Sequence, residues 1–203
     1  MIRIAIVVGS TRPGRRTEVA ARWVADVAAR HPSVAAGQAK FETVDLAEQG
    51  LPLLDEGVPA LFGEYANEHT RLWAETVAGY DGFVFVTPEY NHSVPAALKN
   101  AIDFLHEEWH HKAAGFVGHG VHGGAHAVAH LREVMGEVMI ADVRTYVALS
   151  AFNDFALEGP TDPGVISPGD HQEPTLMEML DEILAWSRAL AVLRGPARVE
   201  APV

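Results

Sequence analysis

Residues 2–8 read Ile-Arg-Ile-Ala-Ile-Val-Val and stop at Gly9. A β-branched, almost unbroken apolar run of this length suits a parallel strand covered on both faces. Residues 41–46 alternate weakly and read as a second strand. Residues 83–86 (Phe-Val-Phe-Val), 112–117 and 143–149 supply three more. Helical spacing fills the gaps. Over residues 17–30, Val19, Ala20, Trp23, Val24 and Val27 share one side, while Glu18, Arg22 and Asp26 share another. His31-Pro32 closes that helix. Residues 62–79 place Tyr65, Leu72, Trp73, Thr76 and Val77 at helical spacing, and residues 96–105 turn Leu98, Ile102 and Leu105 inward. Residues 125–138 and 173–193 complete the set.

Strand and helix alternate five times, so the chain should be a three-layer α/β domain with a parallel sheet and right-handed crossovers. Five strands suggest the flavodoxin-like order 2-1-3-4-5. One domain is expected over residues 1–195, with a loose tail at 196–203. Residues 150–175 carry Pro160, Pro163, Pro168 and Pro174 and read as a long functional or mobile loop.

Composition narrows the function. The 203 residues are 48% hydrophobic, enough for one sizeable core. A formal net charge of -12 argues against general nucleic-acid binding. With no cysteine, disulfides, thiolate metal sites and cysteine nucleophiles are excluded. No apolar run is long enough to span a membrane. A strand begins directly after Met1, so no signal peptide is expected and a cytoplasmic location is the default.

Three strand-to-helix loops should share the carboxyl edge of the sheet, where open α/β folds bind ligands. The first, from Gly9 to Thr17, offers hydroxyls from Ser10, Thr11 and Thr17 and charge from Arg12, Arg15 and Arg16. Its glycines let backbone N–H groups turn inward, and the following helix adds its dipole. It is neither a Walker A nor a Gly-x-Gly-x-x-Gly loop, so a phosphate monoester fits better than a pyrophosphate. The second loop, between Pro88 and Pro95, is stiffened by its prolines. Its Glu89, Tyr90 and Asn91 suit a flat heteroaromatic ring. The third, Gly118-His119-Gly120-Val121-His122-Gly123-Gly124, permits close backbone approach, and His119 or His122 can donate to a ring carbonyl.

Gly9-Ser10-Thr11-Arg12, Thr87 through Pro95, Leu98 through Phe104, and Gly123-Gly124 with Leu131-Arg132 together resemble the NAD(P)H-dependent FMN reductase family, which includes azo, quinone and chromate reductases. The similarity covers about residues 2–150. It implies a flavodoxin-like fold with FMN bound and NAD(P)H as co-substrate. Ser10, Thr11, Arg12, Arg15, Arg16 and Thr17 would hold the phosphate. Pro88, Glu89, Tyr90 and Asn91 would line the isoalloxazine, and Gly118, His119 and Gly120 would meet its pyrimidine edge. Members often carry serine at Arg15, asparagine at Thr17 and serine near Gly118. No side chain need act as a catalytic acid or base. Surplus arginine in the first loop can also read the 2′-phosphate of NADPH. The resemblance further implies a homodimer or homotetramer, with Trp109 a candidate interface residue, and a small-molecule electron acceptor. Tyr90, Phe152 and Phe155 are candidates for the substrate mouth.

A non-enzymatic flavodoxin-type electron carrier is the alternative. It would usually pin the ring between aromatic side chains, whereas the second loop offers only Tyr90. A flavin-free α/β binding protein would leave the first two loops unexplained. Seven of the eleven histidines fall between residues 106 and 130, and His126 and His130 lie one helical turn apart. The internal Glu of a His-Glu-x-x-His site is missing, so the expectation is a solvated or subunit-facing stripe and no metal.

Overall fold

The computed structural model describes residues 1–159 and 162–195. The expected tail at 196–203 lies outside the described residues. The strands are β1 (Ile2–Val8), β2 (Ala39–Asp45), β3 (Gly82–Pro88), β4 (Ala113–Gly120) and β5 (Ala141–Ser150). They form one sheet in the order β2-β1-β3-β4-β5, with every pair parallel. The helices are α1 (Arg16–Ala29), α2 (Pro32–Ala35), α3 (Glu68–Ala78), α4 (Ala96–Asp103), α5 (Ala125–Glu137) and α6 (Gln172–Arg194). This is the flavodoxin-like α/β fold, with the strand order expected of such folds.

The period-2 geometry of β1 explains its continuous apolar run. Ile4, Ile6 and Val8 pack with α1 and α6 on one face. Ala5 and Val7 pack with α3, α4 and α5 on the other. Each face of the strand is thus buried against its own helical layer.

Several local readings change. The helix expected from residue 62 starts at Glu68, because the Glu56 carboxylate accepts from the Ala66 and Asn67 amides and holds the preceding chain open. Pro32 does not merely end α1; it opens the short α2, with His31 Nδ1 accepting from the Ser33 amide. Residues 150–175 are not structureless. They contain an antiparallel pair, β6 (Phe155–Ala156) with β7 (Val165–Ile166). Buried Asp154 anchors this flap, accepting from the Ser150 amide at 2.7 Å and the Gly169 amide at 2.9 Å.

Trp109 is not a surface interface residue. It is 1% exposed, packs edge-on against Phe83 and donates to the Ile102 carbonyl at 3.1 Å. Phe155 is likewise buried, against His119, while Phe152 is exposed. No helix among the described residues is long and apolar enough to cross a membrane.

Candidate flavin site

The carboxyl ends of β1, β3 and β4 meet the N-terminus of α1 around a cavity of about 330 Å³. Arg12, Arg15, Arg16 and Thr17 line one part of it, and Pro88, Glu89, Tyr90, His119 and Gly120 line the rest. The structure therefore brings the candidate phosphate loop, ring loop and polar edge together. Thr11 lines a separate cavity with Leu46 and Asn100. Ser10 is buried beside the site and reaches it through Tyr90, the two hydroxyls lying 3.1 Å apart.

Asn91 and Gly118 stand apart from the cavity wall. Asn91 and His92 form the tip of a two-residue hairpin, with φ of 49° and 65°. Tyr90 and Ser93 close it with paired backbone hydrogen bonds of 2.9 and 3.0 Å. This hairpin adds to the stiffness that the prolines alone were expected to supply. The Glu89 amide is also occupied, donating to the His119 carbonyl at 2.9 Å. Gly118 serves packing: a Cβ there would lie 2.7 Å from the Gly123 carbonyl oxygen. Residues 118–120 belong to β4 itself, Gly118 and His119 paired with Thr87 and Pro88 of β3 and Gly120 with Ser150 of β5.

The phosphate end is electropositive. Arg15 precedes α1 at its N-cap position and makes no side-chain capping bond, so the first-turn amides have no side-chain partner from it. Its guanidinium pairs with Asp45 at the end of β2, and its buried Nε has no partner among the described residues. Arg12 is exposed. Thr17 is fully buried, its Oγ1 2.8 Å from His119 Nε2. Burial, reinforced by the charge on Arg16, pushes the His119 pKa down to about 4, so the ring is neutral near pH 7. At the ring end, burial raises the Glu89 carboxyl, but hydrogen bonds from the His126 amide and imidazole outweigh it and hold Glu89 below its ordinary value.

The family model described as NADPH-dependent FMN reductase matches residues 2–154. The chain belongs to this family. It is 38% identical over 165 residues to an NAD(P)H-dependent FMN reductase of Schizosaccharomyces pombe, covering 80% of each chain. It is 35% identical over 140 residues to a 2-hydroxy-1,4-benzoquinone reductase of a Burkholderia species, covering 66% of this chain and 69% of that one. FerB of Paracoccus denitrificans, a flavoenzyme NAD(P)H:(acceptor) oxidoreductase, shares the fold with a TM-score of 0.69, at 22% identity over 93% of this chain and 98% of that one. As a member of the family the chain is an oxidoreductase, with FMN as cofactor and NAD(P)H as reductant.

The residues present fit that cofactor. Three guanidinium groups, first-turn amides left uncapped by Arg15 and an unpartnered buried Arg15 Nε form a donor set for a phosphate monoester. Gly120 offers no side chain where the cavity passes the Pro88–Tyr90 segment. The sequence reading gave no role to Pro13, Val121, Ala151 and Asp162, which also line the cavity. Gly14 lines it too, and there the glycine itself was the signal for a turn: its φ is 64°. Asp162 carried none, because its place depends on the flap.

Proposed function

We propose that this single domain moves hydride from NAD(P)H to a small acceptor such as a quinone, free flavin or azo compound, with FMN as the intermediary. The observation that carries the proposal is the one cavity joining the arginine-rich N-terminus of α1 to the Pro88–Tyr90 segment and the His119–Gly120 end of β4. Two-electron transfer is the chemistry that FMN supplies when bound. The protein's residues bind, orient and exclude water.

Arg12, Arg16 and the uncapped α1 amides hold the phosphate. Arg15, braced by Asp45, directs its free Nε toward it. Pro88, Glu89 and Tyr90 form the wall for the ring, and the Ser10–Tyr90 contact fixes the phenol. Neutral His119 orients the Thr17 hydroxyl. If His119 Nε2 donates to Thr17, the hydroxyl proton is left for the phosphate. Glu89 remains ionised and is tied to the start of α5. No residue here is assigned a catalytic proton transfer.

The test is an anaerobic absorbance spectrum of the FMN-loaded protein. NADPH or NADH should bleach the flavin bands, and a quinone should restore them. Bands that stay oxidised with both nucleotides, yet bleach with dithionite, would overturn the proposal in favour of a carrier.

A further inference from the structure

We propose that Glu89, His92 and His126 form a binding site for one divalent transition-metal ion of the zinc type at the mouth of the flavin cavity. The three residues come from two elements, the 89–93 hairpin and the first turn of α5. One ligating atom from each lies within 4.8 Å of the other two. The His92 and His126 rings are parallel, with centroids 4.2 Å apart and 2° between planes. Glu89 Oε1 is 3.0 Å from His126 Nδ1.

Zinc holds nitrogen and oxygen donors at about 2.0–2.2 Å, which places tetrahedral donors about 3.4 Å from one another. The Glu89–His126 edge, at 3.0 Å, is already within that reach, so only the edges to His92, at most 4.8 Å, have to adjust. His92 and His126 are both exposed and can rotate to do so. Glu89 keeps one oxygen for the helix while the other serves the ion, since Oε2 accepts from the His126 amide at 2.9 Å. That hydrogen bond also shields an incoming cation from the positive end of α5.

The backbone gives an independent observation. His92 has φ of 65° at the second central position of a two-residue hairpin, where glycine is the usual residue. Residues held in this region cluster at ligand clamps. The strained position is what sets the His92 ring against His126.

The sequence pointed to His126 with His130, one turn on, but the structure separates them in role. His130 Nδ1 is 3.0 Å from Ser93 Oγ. The chelating partner is instead His92, non-local in sequence. Two imidazoles and one carboxylate favour zinc, cobalt, nickel or copper over magnesium or calcium. Three protein ligands leave a tetrahedral ion one open position, beside a cavity wall that includes Glu89. That position would take an oxygen donor, either water or an acceptor's carbonyl.

The experiment is calorimetric titration of zinc chloride into the full chain, both FMN-loaded and flavin-free. This separates metal binding from the flavin assignment. One ion per chain is expected, with no response to magnesium. His92→Ala and His126→Ala should each weaken zinc binding at least tenfold. His130→Ala and His110→Ala should leave it unchanged. Cobalt provides a second readout that a folding defect would not imitate in the parent protein: visible absorption bands of a low-symmetry ion, lost in His92→Ala. No stoichiometric zinc binding, or binding that survives in both His92→Ala and His126→Ala, overturns the proposal.

Discussion

The Thr17 hydroxyl and His119 Nε2 meet at 2.8 Å, joining the first turn of α1 to the end of β4, 102 residues on. His119 is depressed to about 4, first by burial and then by Arg16, against an ordinary value of about 6.5. Between those values the unfolded chain binds a proton that the folded chain refuses. Stability therefore falls as pH drops from 6.5 to 4, by on the order of 3 kcal/mol from this group. Urea unfolding at pH 7 and pH 4.5 checks it. His119→Gln, which can keep a donor near Thr17, should lose less stability over the same interval than the parent. Equal losses would show that His119 does not titrate this way.

Arg15 was a candidate reader of the NADPH 2′-phosphate. Its guanidinium is paired with Asp45, and its side chain is only 13% exposed. It lines the cavity together with Arg12 and Arg16. Arg15→Ala should raise the FMN dissociation constant roughly tenfold, about the cost of one charge-assisted hydrogen bond. The ratio of NADPH to NADH reduction rates should not change. A shift in that ratio would restore the nucleotide role.

Asp162 places a carboxylate beside the phosphate loop. Amides of Glu158 and Gly164 hold its pKa below the usual carboxylate value, so it is ionised at neutral pH. A phosphate dianion must bind against that charge. Asp162→Asn should tighten FMN binding several-fold, with a larger gain at low salt. Fluorescence titration at two ionic strengths measures both.

The strand order came from likeness to flavodoxin-like folds, since alternation does not carry it, but the strands themselves were legible because each apolar run reports its own burial. The limits of β4 were not. Gly118, His119 and Gly120 have poor strand propensity, yet they pair with Thr87 and Pro88 on one side and Ala148, Leu149 and Ser150 on the other. Pairing partners are non-local and override propensity. Trp109 failed for a similar reason: nothing nearby in sequence shows that Phe83 and the Ile102 carbonyl await it. The arginines of the first loop were legible as a charge cluster, but their division of labour was not, because Asp45 arrives from another strand.

Gly118→Ala tests the packing role assigned to that residue. The new methyl would meet the Gly123 carbonyl oxygen at 2.7 Å and the Gly124 carbonyl oxygen at 3.1 Å, both of them backbone. Overpacking of this kind costs about 1–3 kcal/mol. The melting temperature should fall, and FMN affinity should follow as β4 and the start of α5 shift. Unchanged stability would show that the 123–124 turn gives way freely.

Lys112 lies at the opposite edge of the sheet, 4% exposed. Its Nζ donates to the Val77 carbonyl at 2.7 Å and lies 5.6 Å from the Phe83 ring centroid. Burial, then the positive charge of Arg194, lowers its pKa to about 7 despite Asp81 and Glu108. The unfolded value is about 10.4. Between pH 7 and 10.4 only the unfolded chain carries the proton, so this group makes stability rise with pH across that window. Lys112→Met keeps the apolar stem over Phe83 and removes the titration. Urea midpoints from pH 7 to 9.5 should rise more steeply in the parent than in the variant. Parallel curves would mean that Nζ stays protonated, held by the Val77 carbonyl and the two carboxylates.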